Sequence, residues 1–344
     1  MASGSFRRAR ANLVEKAHKA LAMISSLVAQ FNIPSDKAIY LFNTMIRPIA
    51  MYNSENLAHF TEHQVNAMYQ HKNSLLFYAN NAYPNRLQQK FLKFILGVKS
   101  KCKNMATLGE LGEIPIIIHG FVSLLSFWYR THNMDEETLV KQALNLMIND
   151  NNAKYEWLVT VKFLLHYLDM DAYYVNPQLI RSTNGFTLAV KNKFQSTYIK
   201  EWFDEISGQN MRIGESNKLR FYKLFKTSFD KEPYLNYIKD FKLRKTLTKF
   251  RCSDHILEIE VGRHKNLKVE ERICKICSGG EVESELHFLE KCPAYTNLRK
   301  HYFGDTHPIN WIDILTCKDK IITYKLANYI NKALKLRKSV LALL

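Results

Sequence analysis

At 344 residues the chain is long enough for two or three domains, each with its own core. Its 47% apolar content, with 20 Phe and 18 Tyr, excludes a disordered polypeptide, and only 12 Gly and 8 Pro argue against an all-β fold. The excess of 49 Lys+Arg over 32 Asp+Glu leaves a net charge of +17, which attracts polyanions at the expense of self-repulsion.

Leu13, Ala17, Ala20, Ile24, Leu27 and Phe31 recur at helical spacing and predict a first helix ending before Asn32-Ile33-Pro34. Ser35 caps a second, with Asp36 near its positive end, and Arg47-Pro48 breaks it. Thr61 with Glu62 starts a third, and Pro84 separates it from a fourth running through Phe91 and Leu96 to Gly97. Further helices are expected from about Asn104, Ile116, Asp135 and Ala153. The Asn- and Pro-containing stretch from Tyr173 to Gly185 reads as a linker, followed by a helix over roughly 187–206 and a strongly basic segment. Short strand-like pieces occur only between His255 and Pro293, and a last helix runs from about Lys318.

No stretch reaches the ~18 unbroken apolar residues of a membrane helix. The nearest, Ile114 to Trp128, is interrupted by Pro115, His119, Gly120 and two serines. Arg7, Arg8 and Arg10, with no acid before Glu15, imitate a mitochondrial presequence, but a core helix uses the same residues better.

Of six cysteines, Cys274, Cys277 and Cys292 fall within nineteen residues, while Cys102, Cys252 and Cys317 are scattered. That pattern suits a reducing compartment, nucleus or cytoplasm rather than the secretory route, and a metal site rather than a disulfide framework. The spacing Cys274-x2-Cys277-x9-His287-x4-Cys292 supplies four soft or borderline ligands for one structural Zn²⁺. Ser278-Gly279-Gly280 lets the chain turn back behind the first pair, and Arg272, Lys275 and Lys291 are near enough to offset the thiolate charge. His255, His264 and His301 are alternative ligands, but His287 completes the pattern without a long loop. A redox Cys-x-x-Cys lacks its βαβ setting here.

Between Gln209 and Arg251 twelve Lys or Arg face four acids, a net +8 over 43 residues, with eight Phe or Tyr interleaved. On the run Lys239–Arg251, Leu243, Leu247 and Phe250 share one face and Lys242, Lys245 and Lys249 another. A positive ridge on a packed helix is the form a phosphate-binding surface takes; a solvated lysine face over core aromatics is the plain alternative. Lys218, Arg220, Lys223, Lys242, Arg244, Lys245, Lys249, Arg251 and Arg263 are the candidate nucleic-acid contacts. No catalytic residues are expected: Asp169-x-Asp171 follows a helical run and reads as a helix-end loop, and phosphate-binding and nucleophile motifs are missing.

With these residues in hand, the chain resembles the C-terminal part of reverse transcriptases from non-LTR (LINE-like) retrotransposons. The matching segments are Gly4-Ser5-Phe6, Ala17-His18-Lys19-Ala20, Arg47-Pro48-Ile49, Met51 to Glu55, Phe91-Leu92-Lys93, Ile95 to Val98, Gly109 to Pro115, Leu247 to Arg251, Ile259 to Arg263, the cysteines, and Glu285 to Leu289. Asn53, in place of the usual Gly, and Asn56-Leu57, in place of an aliphatic-Trp pair, depart from the pattern. The resemblance implies a helical thumb, a helical connector and a zinc knuckle, and with the pattern of the chain the expected fold is mainly α: a thumb-like bundle and connector over 1–172, a basic helical region over 186–252, a zinc-binding module with short strands over 253–305, and a C-terminal helix over 306–344. It also implies RNA or DNA as partner, with the catalytic palm and the endonuclease outside this chain and the missing polymerase domains as further partners. No membrane and no small-molecule substrate are expected. The alternative is a domesticated or relict structural protein whose zinc module contacts protein.

Overall fold

The computed structural model describes residues 7–57, 60–70, 82–150, 155–179, 182–209, 217–304 and 309–343. These are mainly helical: α1 (Arg7–Gln30), α2 (Ser35–Leu41), α3 (Arg47–Ala50), α4 (Ser54–Leu57), α5 (Glu62–Gln70), α6 (Tyr83–Leu96), α7 (Asn104–Leu111), α8 (Ile117–His132), α9 (Leu139–Asn149), α10 (Glu156–Tyr167), α11 (Asp171–Val175), α12 (Thr183–Ser207), α13 (Tyr222–Phe225), α14 (Tyr234–Tyr237), α15 (Phe241–Arg251), α16 (Glu258–His264), α17 (Thr296–Phe303), α18 (Trp311–Leu315) and α19 (Lys320–Leu341). Among the described residues no helix is long and apolar enough to cross a membrane. The strand-like pieces expected between His255 and Pro293 reduce to one isolated antiparallel bridge, Ile273 with Val282.

Several helix ends follow from local chemistry. Thr61 caps α5 reciprocally: its hydroxyl accepts from the Gln64 N–H at 3.2 Å, and the Gln64 side chain accepts from the Thr61 N–H at 2.9 Å. α6 carries Pro84 in its first turn and ends at Gly97, whose φ of +68° permits a left-handed cap. There the Val98 N–H reaches Lys93 O at 3.1 Å and the Gly97 N–H reaches Phe94 O at 3.0 Å, satisfying two orphan carbonyls.

Other ends differ from the sequence expectation. Pro48 does not break its helix. The turn Phe42–Ile46 widens to π geometry and α3 continues with Pro48 near its start, the looser winding making room for a ring that would otherwise meet the carbonyl four residues back. Ser35 does not cap α2; it is the first helical residue, and its buried hydroxyl has no partner. On α1 the buried line is Ala17, Leu21, Ile24 and Val28, while Leu27 and Phe31 are exposed. Two apolar stripes overlap on that helix, and periodicity alone does not say which one meets the core.

The contacts divide the chain into two compact units, one of Met1–Ser26, Ile39–Gln88 and Ile114–Phe203, the other of Leu27–Ala38, Gln89–Glu113 and Asp204–Leu344. This grouping cuts across the sequence-order division at 172, 252 and 305. The first unit is centred on aromatic rings: Phe60 lies 5.2 Å from Phe121 and 5.7 Å from Phe163, and Phe121 lies 5.9 Å from Phe194. The stretch 173–185 belongs to it, and its described part is ordered by rings, Tyr174 stacking on Trp128 at 5.9 Å and Tyr173 meeting Phe186 at 6.3 Å. In the second unit α19 is the central support. Asp319 caps it, accepting from the Ile322 N–H at 2.8 Å, and α14, α15, α17 and α18 pack against it. Its buried face carries Leu326, Ala327, Tyr329, Ile330, Ala333 and Arg337.

Candidate metal centre and basic surface

Both candidate sites lie in the second unit. The metal cluster is assembled from two short pieces of backbone. The Cys274 N–H donates to Glu281 O and the Glu283 N–H to Arg272 O, each at 2.9 Å, so a small hairpin presents Cys274 and Cys277 at its turn. Gly280, with φ +63°, supplies the left-handed residue that closes it. The backbone N–H groups of Ile276 and Cys277 reach the Cys274 sulfur. The second piece is the π turn His287–Lys291, in which the Cys292 N–H donates to His287 O at 2.8 Å. Residues five apart on an α-helix lie about 140° apart around its axis. The wider turn, started by the Ser284 hydroxyl accepting from the His287 N–H at 3.1 Å, brings His287 and Cys292 to one side.

The ligand atoms of Cys274, Cys277, His287 and Cys292 all lie within 4.8 Å of one another, so the four can hold one metal ion. The Cys277 sulfur is 3.5 Å from His287 Nε2, and His287 Nδ1 is 3.0 Å from a Glu281 carboxylate oxygen. That carboxylate holds the tautomer in which Nδ1 donates and Nε2 keeps its lone pair for a cation. Burial raises the Cys274 thiol, and burial with the neighbouring thiols pushes Cys292 up to about 12. A bound cation reverses that balance by stabilising thiolates. The other histidines are elsewhere: His255 Nε2 is 3.1 Å from Glu285, and His264 and His301 are exposed.

Sequence reasoning missed the carboxylates behind this cluster. Glu258, Glu260, Glu283 and Glu285 are all buried. Arg337 of α19 binds Glu283 through Nε and Nη2, each at 2.7 Å, and reaches Glu258 at 3.2 Å. Lys275 also pairs with Glu258, at 3.1 Å. Burial acts to raise the Glu285 carboxyl, but its hydrogen bond to His255 and the charges of His255 and Arg220 hold it below the usual range. Arg272 faces the carbonyls of Ile259 and Leu267 rather than the thiols. The alternation Glu258-x-Glu260 and Glu283-x-Glu285 was the available signal, in a chain with few acids to strand inside.

The nine candidate basic residues separate into two groups. Arg251 is wholly buried, paired with Glu110 and Glu232 at 2.8 Å each. Arg220 is held by Glu260 and Glu285, Arg263 by Glu260, and Lys218 is buried against the Lys101 carbonyl. The others remain at the surface: Lys223 and Lys242 exposed, Arg244, Lys245 and Lys249 partly so. The end of α6 and the loop after it add three lysines that sequence clustering did not single out. Lys99 and Lys101 are exposed, and Lys93 donates to Ser100 O at 2.7 Å. The stem of Lys245 lies over Gly97, where a Cβ would come within 2.8 Å of it, so the lysines of α15 and of this loop adjoin. Burial, then the charges of Lys245 and Lys99, lowers the Lys249 ammonium, with Asp254 opposing. Desolvation, then Arg263, Lys218 and Lys101, lowers His264. Lys99 thus repels Lys249 of α15, and Lys101 acts with Arg263 and Lys218 on His264.

Asp169 and Asp171 do not form a facing pair. Asp169 ends α10 in a left-handed conformation, φ 54°, and approaches Lys193 at 3.8 Å, whereas Asp171 pairs with His166 at 3.0 Å. No protein-family model matches the chain, and neither does any curated protein or solved structure.

Proposed function

We propose that this chain is a zinc-binding, nucleic-acid-binding region that works in the context of a non-LTR-type reverse transcriptase, with the polymerase palm supplied from outside it. The observation that carries the binding assignment is the cluster of Lys99, Lys101, Lys245 and Lys249, in which the stem of Lys245 lies over Gly97 and the charges of Lys245 and Lys99 repel the Lys249 ammonium, in the same unit as the metal cluster. A polyanion relieves that repulsion and releases its own counterions. Ligand chemistry supports zinc: sulfur at about 2.3 Å and nitrogen at about 2.0 Å on a tetrahedron lie roughly 3.5–3.8 Å apart. The Cys277–His287 separation of 3.5 Å fits that figure. Four protein ligands leave no open position, so the ion's role is to fix the hairpin and the π turn. The resemblance to the retrotransposon enzymes supplies the polymerase context.

The test is fluorescence anisotropy of labelled single strands over a salt series. Tight binding at low salt that weakens steeply with added salt is the expected result; absent or salt-indifferent binding would overturn the assignment. One observation favours the alternative of a protein-contacting structural role. In the first unit Leu139 is 80% and Leu146 71% exposed on α9, beside an apolar cleft that Leu139 lines with Phe127 and Trp157. If that role were the whole function, pull-down would depend on α9 and not on salt.

A further inference from the structure

Within the second unit, the turn after α1, the start of α2, the end of α6 and the start of α15 surround a cleft of about 260 Å³. Over an aliphatic floor that includes Ile95, its lining presents Phe94, Phe241, Asn32, Ser35 and Arg244. Four of these are poorly accommodated by the protein alone. Ser35 is 4% exposed, and its hydroxyl has no hydrogen-bond partner. A buried hydroxyl left unpaired is unfavourable, and such a group marks a missing polar neighbour. Phe94 and Phe241 are 40% and 42% exposed at the cleft, although most rings of this unit are buried. The Arg244 guanidinium donates once, to Ile238 O at 2.8 Å, and lies over the Phe241 ring at 5.5 Å. Among the described residues it pairs with no carboxylate. Burial lowers its pKa, with Tyr234 and Asp240 opposing incompletely.

Size and surroundings narrow the occupant. Drug-sized ligand sites run to roughly 300–1,000 Å³, so this smaller cleft suits one flat ring system rather than a whole nucleotide. The Lys245 ammonium lies 5.9 Å from the Phe241 ring centre, and Lys242 is exposed on the same helix. Cations beside an aromatic-lined slot are what a base and its phosphate need together. We propose that the cleft takes a single unpaired nucleobase of a bound strand, stacked on Phe241 and Phe94, its polar edge toward Ser35 and Asn32, and the adjoining phosphate on Arg244 and Lys245. This rests on the nucleic-acid assignment above and adds to it a preference for unpaired strands, because a base inside a duplex is already stacked and cannot enter.

The test uses the full chain and anisotropy with three probes: a labelled mixed-sequence single strand of about ten nucleotides, a strand of the same length with abasic sugars throughout, and the corresponding duplex. Wild-type protein should bind the base-bearing strand about tenfold more tightly than the abasic one. Phe241→Leu, a change at an exposed ring, should remove that advantage and leave the abasic and duplex affinities and the salt dependence as they were. Ser35→Ala should weaken the base-bearing strand about threefold without lowering thermal stability, since it deletes an unsatisfied buried group. Equal loss on base-bearing and abasic strands, or no loss in either variant, would overturn the cleft. Steeply salt-dependent binding without a base preference removes the cleft and leaves the nucleic-acid assignment standing. Absence of all binding at low salt removes both.

Discussion

Arg251 shows why a count of cations does not identify a binding surface. Its guanidinium contacts Glu110 through Nε at 3.1 Å and Nη2 at 2.8 Å, reaches Glu232 at 2.8 Å and donates to the Leu315 carbonyl. Phe225 and Tyr234 lie across its faces, with ring centres at 4.6 and 5.3 Å. Lys226 completes the set at 2.6 Å from Glu232, giving two buried cations and two buried acids. Replacing one member strands its partner, so Arg251→Met should destabilise the second unit by about 3–5 kcal/mol. Hydrogen exchange of the α15 amides measures this, and full retention of protection would contradict it. In the first unit, burial, then the charges of Arg47 and Lys191, lowers His119 from its ordinary 6.5 to about 4. The unfolded chain then binds more protons than the folded one between those values, so stability falls as pH drops from about 6.5 toward 4. His119→Gln should flatten that decline in denaturant titrations at pH 7 and pH 5; an unchanged difference would remove His119 as its source.

At the scale of elements, the metal cluster was legible because ligand chemistry is local: four Cys and His ligands at short spacing survive without knowledge of the fold. The element that makes the cluster geometric was not legible. An α-helical period places His287 and Cys292 on different faces, and only the π turn, closed by the Cys292 N–H on His287 O at 2.8 Å, brings them together. The same widening before Pro48 defeated a rule that is sound for ordinary helices. Helix existence was readable from apolar period, whereas the buried stripe of α1 depended on its partners. The hairpin is closed by a single bridge and leaves Ile273 42% exposed, so it holds little apolar surface of its own, whereas the π turn is anchored by the buried Phe288 and Leu289. The free energy of binding an ion at this cluster would therefore be local folding free energy for the hairpin. Elemental analysis should find one ion per chain, and chelation should open 272–295 to protease while α6 and α8 stay protected. A metal-free preparation equally resistant over 272–295 would contradict this.

For the whole molecule, the count of 49 Lys+Arg overstates the free cations a partner meets, because Arg220, Arg251, Arg263, Arg337 and Lys226 are paired internally with buried glutamates, which leaves the net +17 on the remaining residues. Several of those pairings join segments far apart in sequence, such as Glu110 with Arg251, where spacing does not indicate the partner. What remains on the proposed surface is Lys99, Lys101, Lys242, Arg244, Lys245 and Lys249, each exposed or partly exposed. If those six each neutralise one phosphate, log K should fall against log salt with a slope of about −4 on single strands. Lys99→Glu with Lys101→Glu should flatten it by at least about one unit, and reversal of Lys242, Lys245 and Lys249 by about two. Both sets should weaken all sequences alike, because phosphate contacts carry no base information. Arg251→Met should leave the slope where it was, since that cation never reaches the surface. Anisotropy at several salt concentrations separates the cases. A slope that responds to the helix lysines and ignores the loop would confine binding to α15, and one that follows Arg251 would show that the buried network opens when nucleic acid binds.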